Sequence, residues 1–236
     1  MNLHDDFTKR IAVITDPADA EQWIASPNPA VQRRLLDRIG GEVARATSLV
    51  SYAPGAHFDR HLHGGGEEIL VLEGVFSDER GDYPAGTYLR NPPGSAHTPF
   101  SLDGCLLFVK LWQFAENDLT PVCIDTHSAT WHPGSAPGLT ELPLHHHQGI
   151  HTSLVRWAPH TSFPSQGHTG GTEILVVSGA FMDEFGNYPE RSWVRSPQQC
   201  SRAPRTGAEG ALLYVKSGHL GARLLTPSDR SRLTSA

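Results

Sequence analysis

Short apolar runs alternate along the chain with turns rich in Gly, Pro, Asn and Asp. Residues typical of strands, β-branched and aromatic, dominate the runs TSLVSYA, EEILVLEG, GTYLRNP and GCLLFVKLW. Between them lie APGA, HGGG, DERGDYPAG and NPPGS, whose residues tolerate positive φ or preset a turn. Only residues 29–39, PAVQRRLLDRI, have a spacing that suits a short helix or a turn. The pattern therefore predicts an all-β protein.

The chain contains an internal sequence repeat. Residue 152 matches residue 47, so the two copies are offset by 105 residues. The matched segments are 47–74 with 152–179, 74–92 with 179–197, and 106–110 with 211–216, the last after one extra residue in the second copy. Many short strands in each copy predict a small β-barrel or jelly roll. We therefore expect an N-terminal arm at 1–40, a first barrel at 41–114, a linker at 115–146 with room for one strand, a second barrel at 147–222 and a tail at 223–236.

Composition narrows the class of protein and its partners. The 236 residues carry a net charge of -6 and contain no Lys/Arg run, so direct binding to nucleic acid is not expected. No apolar run has the length of a membrane span, and the N-terminus lacks a signal-peptide core. Cys105, Cys123 and Cys200 are sparse and odd in number, which favours reduced thiols. We expect a soluble, cytoplasmic protein that makes no membrane contact.

One segment of the first copy carries candidate metal ligands. His61 and His63 alternate, so they lie on the same face of a strand. Three glycines then turn the chain, and the returning strand brings a carboxylate, Glu67 or Glu68, beside the two imidazoles. His97 follows the Pro/Gly turn PPGSA. Three imidazoles and one carboxylate suit one divalent transition metal such as Fe, Mn, Ni, Cu or Zn.

These residues resemble the cupin family, whose motifs are G-x5-H-x-H-x3/4-E-x6-G and P-x-G-x2-H. The segment from Gly55 to Gly74 fits the first motif when Glu67 is the ligand, and 92–97 fits the second. More narrowly, GGGEEILVLEGVFSDERGDYPAGTYLRNPPGSAHTPF is similar to the ChrR-type cupins, and the likeness covers roughly residues 25–220. The resemblance implies a bicupin, two tandem cupin domains of the small jelly-roll type. It also implies that His61, His63, Glu67 and His97 hold the metal, and the family spacing favours Glu67 over Glu68.

Four further residues are candidates for contacts to the ligands or the substrate. His57 and Asp59 share strand parity with His61, so they either point into the barrel or lie at a solvated strand end. Glu68 adjoins the proposed ligand, and Phe100 is an apolar neighbour close in sequence to His97. No catalytic residue is assigned.

The second copy departs from the ligand pattern. Opposite the four proposed ligands it carries Gln166, His168, Thr172 and Arg202. We expect this barrel to be metal-free, to support the fold and to provide an interface; the alternative is a cationic pocket at Arg202 for an anionic ligand. The counterparts of Asp78, Glu79 and Arg90 are retained there, which favours a structural role for these three.

Other conspicuous residues have simpler interpretations. The run His145–His147, with His151 nearby, predicts an exposed, solvated loop, because consecutive residues of a strand cannot all face one ion. Trp112, Trp157 and Trp193 lie in strand patterns and are expected in the core, as is Cys105.

Two functions follow from the resemblance. One is a metal-dependent, dioxygenase-like enzyme acting on a small oxygenated organic substrate. The other is a regulatory or sensing module related to the ChrR anti-sigma factor, with a sigma factor as partner. Residues 1–40 contain no cysteine, so we expect the zinc-binding anti-sigma domain to be missing. Cupins commonly pair through barrel edges, which predicts a homodimer.

Overall fold

A computed structural model describes residues 2–14, 22–41, 43–163, 169–198 and 200–221. These residues form strands and no α-helix. The strands are β1 Ile11–Val13, β2 Ile24–Ala25, β3 Val31–Gly40, β4 Ala44–Tyr52, β5 His61–Leu62, β6 Glu67–Asp78, β7 Gly81–Pro84, β8 Thr87–Asn91, β9 Ala96–His97, β10 Cys105–Leu111, β11 Val122–Asp125, β12 His132–Pro133, β13 Leu139–His147, β14 Ile150–Trp157, β15 Thr172–Asp183, β16 Gly186–Pro189, β17 Trp193–Ser196 and β18 Arg205–Ser217.

The strands form two compact units with the same internal order. In the first unit the main sheet runs β11-β8-β6-β10-β4-β3-β2, with β7 paired to β6 and a separate small sheet of β5 and β9. In the second unit it runs β1-β17-β15-β18-β14-β13-β12, with β16 paired to β15. The chain thus folds as two antiparallel β units that follow the sequence repeat, and the predicted all-β architecture is confirmed.

The units extend beyond the barrel limits expected from the sequence. The expected arm at 1–40 contributes β1 to the second unit, and β2 and β3 to the first. The expected linker at 115–146 contributes β11 to the first unit and most of β12 and β13 to the second. These segments lie outside the recognisable sequence repeat, and the structure shows that they add outer strands to each sheet. The expected tail at 223–236 lies outside the described residues.

The helix or turn considered for residues 29–39 is wrong, because they form most of β3. A bulge explains the misleading pattern: Leu35 pairs with Ser48 and Asp37 with Thr47, which leaves Leu36 as an extra residue. A bulge resets the strict alternation of a strand, so buried and exposed positions acquire a spacing that resembles a helix. Val31 and Leu36 are both fully buried as a result.

Each unit has its own apolar core between sheet faces. The core of the first unit includes Tyr52, Ile69, Phe76 and Leu107. The core of the second includes Val155, Trp157, Ile174, Phe181 and Leu213. Burial of the three candidate tryptophans, Trp112, Trp157 and Trp193, and of Cys105 is confirmed. Within the described ranges, no helix has the length and apolar character that crossing a bilayer requires.

The histidine run is not a loop, which corrects the expectation from the sequence. His145, His146 and His147 end β13 and pair with the start of β14. A register shift after Pro143 precedes the run, and the rings of His146 and His151 stack with centroids 4.3 Å apart.

Candidate metal centre

The first unit brings the four predicted ligands to one place through the pairing of β5 with β9 and the glycine turn before β6. In the small sheet, His61 on β5 lies directly opposite His97 on β9. His63 follows β5, and its backbone N–H donates to the carbonyl of Ser95, 2.9 Å away. Glu67 opens β6 beyond the glycine turn. The two sequence motifs therefore meet because β5 and β9 pair.

The ligand atoms of these four residues lie within 4.8 Å of one another. Glu67 Oε2 is 3.3 Å from His63 Nε2 and 3.5 Å from His97 Nε2. Both Nε2 atoms are buried, and neither makes a hydrogen bond within the part of the chain that the structure describes. Buried polar atoms without partners are costly, and a shared cation would satisfy them. The donor set fits a divalent transition metal.

The hydrogen-bond partners of the three Nδ1 atoms fix the tautomer of each imidazole. The Ser95 hydroxyl donates to the carbonyl of Pro92 at 2.6 Å, so its oxygen is left to accept from His63 Nδ1 at 3.0 Å. His97 Nδ1 faces Asp78 Oδ2 at 3.3 Å, and His61 Nδ1 faces the carbonyl of Asp59 at 3.1 Å. Each Nδ1 therefore carries the hydrogen, which leaves each Nε2 lone pair free to bind a metal.

Two polar side chains, Asp78 and Asn91, orient the ligands His97 and Glu67. Burial would raise the pKa of Asp78, but hydrogen bonds from Arg80 and Tyr83 outweigh it and hold this pKa below its usual value. The ionised carboxylate can then accept from His97. Asn91 donates to Glu67 Oε2 at 3.2 Å and orients that carboxylate.

Burial lowers the pKa of His63 to about 4, with Glu67 opposing and the neighbouring His97 and His61 assisting the shift. At neutral pH the His63 ring is consequently uncharged, which is the form that binds metal.

The two candidate carboxylates face opposite sides of β6. Glu67 belongs to the ligand cluster. Glu68 is buried on the other face of the strand, and its Oε1 accepts from the Tyr88 hydroxyl at 2.8 Å. Of the two, only Glu67 is placed to bind a metal with the three histidines.

The glycines between His63 and Glu67 are required by two aromatic rings. A Cβ on Gly65 would lie 2.1 Å from the Trp112 ring, and one on Gly66 would lie 2.4 Å from the Phe114 ring. Trp112 and Phe114 follow β10 and are buried. This aromatic clamp holds the loop close to β10, and the loop sets the separation of His63 and Glu67.

The other sequence candidates lie around the ligands rather than among them. His57 and Asp59 are exposed, and Asp59 contacts His61 through its carbonyl. Phe100 is half-buried, and its backbone forms isolated antiparallel β-bridges with His57 and with Ser77.

Sequence reasoning missed two supporting residues, Ser95 and Asn91, and left the role of Asp78 open. Ser95 lies inside the second motif and Asn91 ends the strand before it, so position relative to the motif was the available signal.

A cavity of about 450 Å³ adjoins the ligands in the first unit. His61 and Glu67 contribute to its wall, together with Arg33 and Arg60. The rest of the wall is mainly apolar: Val31, Val50, Tyr52, Phe58, Ile69, Phe76, Leu107, Val109 and Leu111.

The second unit lacks an equivalent ligand set within its described residues. Thr172 opens β15 where Glu67 opens β6, and both are buried. Arg202 is buried where the first unit has His97. Gln166 and His168, the counterparts of His61 and His63, lie outside the described residues.

The family model described as the ChrR Cupin-like domain matches residues 10–115 and again 119–221. The chain belongs to the ChrR cupin-like family. Its strand order and its tandem repeat are those of a bicupin, and its His/Glu cluster could bind a metal. Among curated proteins, none matches the sequence.

Solved structures share the cupin fold at low identity. A Nostoc punctiforme protein provisionally described as a dioxygenase has a TM-score of 0.71 and 14% identity, over 93% of this chain and 87% of that one. Escherichia coli YhhW, a bacterial pirin solved with nickel(II), has a TM-score of 0.65 and 14% identity, over 89% and 99%. Escherichia coli Ylba has a TM-score of 0.65 and 14% identity, over 92% and 94%. At these identities the likeness shows the fold alone.

Proposed function

We propose that the first cupin is a metal-dependent enzyme, dioxygenase-like, that acts on a small oxygenated organic substrate. The observation that carries the proposal is the cavity beside the ligand cluster. Its volume of about 450 Å³ lies in the range of small-molecule sites, and its wall includes two of the four ligands. A purely structural metal would need no such space next to it.

The wall of the cavity suits a substrate with a hydrocarbon body and polar oxygens. Apolar side chains such as Val109 and Phe76 would hold the body and exclude water. Arg33 Nε is buried and has no partner among the described residues, so it could donate to a substrate oxygen. Arg60 adds a second cation to the same wall.

His61, His63, Glu67 and His97 would hold one metal ion per chain. Fe, Mn or Ni bound there would act as a Lewis acid and leave positions open for oxygen donors, whereas Zn with four protein ligands would have a filled tetrahedral shell. The fixed tautomers and the Asn91 amide keep the four donors oriented while substrate enters and leaves. The Nostoc protein of the same fold, provisionally described as a dioxygenase, agrees with this proposal.

The test is reconstitution with Fe(II) under anaerobic conditions, followed by oxygen uptake with a panel of β-diketones and hydroxy-ketones. We expect uptake that needs both metal and substrate and that is absent in a His61→Ala/His63→Ala variant. His146→Ala is a matched control, because this histidine belongs to the second unit and its ring stacks on that of His151. A protein that holds stoichiometric iron and consumes no oxygen across the panel would contradict the dioxygenase proposal.

The family match gives one reason to test a regulatory role as well. If the chain is a sensing module, metal-loaded protein should retain a sigma factor in a pull-down, and metal removal or oxidant should release it. Stoichiometric zinc in the purified protein, together with such retention, would favour sensing over catalysis.

A further inference from the structure

The second cupin also contains a cavity, and it occupies the same part of the barrel as the first. Its volume is about 250 Å³. Four apolar lining residues occupy the repeat positions of residues that line the first cavity: Val155, Trp157, Phe163 and Ile174 match Val50, Tyr52, Phe58 and Ile69. The second cupin therefore retains the apolar lining of the barrel interior although it has lost most of the metal-ligand positions.

Arg202 replaces the ligand His97 at this cavity, and it forms no ion pair with any described residue. The side chain lines the cavity, the residue is 5% exposed, and its Nη1 is buried with no hydrogen-bond partner among the described residues. Burial lowers the pKa of the guanidinium, although Asp183 opposes the shift. An unpaired buried cation is costly, so an anion in the cavity would relieve a cost that the fold bears without it.

Asp183, the carboxylate that opposes this pKa shift, is already engaged by other groups. In the first cupin, Asp78 faces the ring of His97. In the second, the matching Asp183 accepts from Arg10 Nη2 at 3.1 Å and from the Tyr188 hydroxyl at 2.9 Å. Arg10 comes from the segment before β1. Because Arg10 and Tyr188 occupy Asp183, Arg202 remains available to a ligand.

A second buried donor lies on the same wall. Trp157 lines the cavity, and its buried Nε1 has no hydrogen-bond partner in the described part of the chain. Trp157 and Arg202 both border the Phe181 ring, at centroid distances of 5.6 Å and 5.9 Å. Ser153 and Ser217 also line the cavity, together with one acidic residue, Glu141.

We propose that the second cupin binds a small organic monocarboxylate, with its carboxylate at Arg202 and its short apolar chain against Trp157, Phe163 and Ile174. Arginine presents several N–H donors to a carboxylate in a fixed plane, which favours this anion class. The small volume limits the chain to a few carbons or one ring, and Glu141 disfavours a second acid group on the ligand.

The experiment is calorimetric titration of the full chain with butyrate and benzoate, and with butyramide and benzamide as neutral analogues. The His61→Ala/His63→Ala variant is titrated in parallel, so that carboxylate bound at a metal in the first cupin is not counted. Arg202→Gln removes the charge, and Trp157→Phe removes the N–H donor while keeping an aromatic, though smaller, side chain. Arg205→Gln is the control on an exposed arginine.

We expect carboxylates to bind in preference to their amides, with or without the ligands of the first cupin. Arg202→Gln should weaken carboxylate binding about tenfold to hundredfold and abolish the preference. Trp157→Phe should weaken it severalfold, and Arg205→Gln should not change it. Without ligand, Arg202→Met should raise the melting temperature, which also shows that a variant at this position folds.

Three results would overturn the proposal: no carboxylate binding by the wild-type chain at millimolar concentration, equal binding by Arg202→Gln, or binding that disappears in the His61→Ala/His63→Ala variant. Equal binding of inorganic phosphate would assign the cavity to inorganic anions and reject the carboxylate class. None of these results depends on oxygen uptake by the first cupin, so the two proposals can fail separately.

Discussion

The two cupins share their framework and differ where the chemistry is. In both, the glutamate that follows the long central strand accepts a hydrogen bond from a backbone N–H 19 residues further along the chain: Glu79 from Thr98 at 2.8 Å and Glu184 from Ala203 at 3.1 Å. The same strand order surrounds both cores. Only one cupin has a ligand cluster among its described residues. We therefore infer that residues common to the two copies maintain the fold and that residues that differ between them determine the chemistry of each cupin.

The shared aspartate shows how one framework residue can serve two roles. Asp78 is held by Arg80 from its own hairpin and is left in contact with His97. At the position of Arg80 the second cupin has Phe185, and Arg10 takes over, with its guanidinium 4.6 Å from the Phe185 ring centroid and 3.1 Å from Asp183. Each carboxylate is paired with an arginine, but among the described residues only Asp78 of the two faces a histidine.

Replacing His63 or His97 by Ala should have the largest effect on this difference. Each substitution removes an Nε2 that is buried beside Glu67 Oε2. We expect metal content, measured by elemental analysis on tag-free protein, to fall from about one ion per chain to near zero. His151→Ala in the second cupin should not change it. Metal retained at full stoichiometry in both variants would place the ion elsewhere.

A smaller but still large effect is expected at the aromatic clamp. Gly65→Ala would drive a Cβ to 2.1 Å from the Trp112 ring, so loop or ring must shift. Overpacking of this kind typically costs about 1–3 kcal/mol of unfolding free energy, and metal affinity should fall with it. Denaturant unfolding and chelator competition measure the two effects.

Gly207→Ala is the control for Gly65→Ala, because no described atom lies within 4 Å of the added carbon. Equal stability of the two variants would mean that the loop has room that the structure does not show.

Sequence was sufficient for the features that repeat or that follow a spacing rule. The offset between copies predicted the two barrels. The alternation of His61 and His63 predicted a shared face, and the resemblance to the cupin motifs added Glu67 and His97 as further candidate ligands. Sequence was insufficient where a bulge or a distant pairing decides the structure. The bulge at Leu36 disguised β3, and the pairing of β1 with β17 connects residues far apart in the chain.

The groups behind the ligands were also beyond sequence reasoning. Asp78, Asn91 and Ser95 reach His97, Glu67 and His63 only through side-chain geometry. Neither the spacing of the motifs nor the repeat states which of two neighbouring polar side chains will point inward.

The matched substitutions Asp78→Asn and Asp183→Asn test whether the shared aspartate has a separate role in the first cupin. Both should lower stability, because each carboxylate accepts from a tyrosine and an arginine. Only Asp78→Asn should weaken metal binding, by about tenfold to a hundredfold, since its carboxylate orients the ring of His97. Chelator competition and thermal melting on both variants separate the effects. If the two variants bind metal equally well, Asp78 is a framework residue only.

The smallest expected effect concerns the hydroxyl behind His63. At the repeat position of Ser95 the second cupin has Cys200, so Ser95→Cys converts this feature of the first cupin into that of the second. Sulfur is a weak acceptor, so His63 Nδ1 would lose most of a hydrogen bond, and we expect metal affinity to fall about fivefold, near 1 kcal/mol. Ser95→Ala should give a similar loss, because it removes the same acceptor. Unchanged affinity in both would show that the backbone bond from His63 to the Ser95 carbonyl orients the ring by itself.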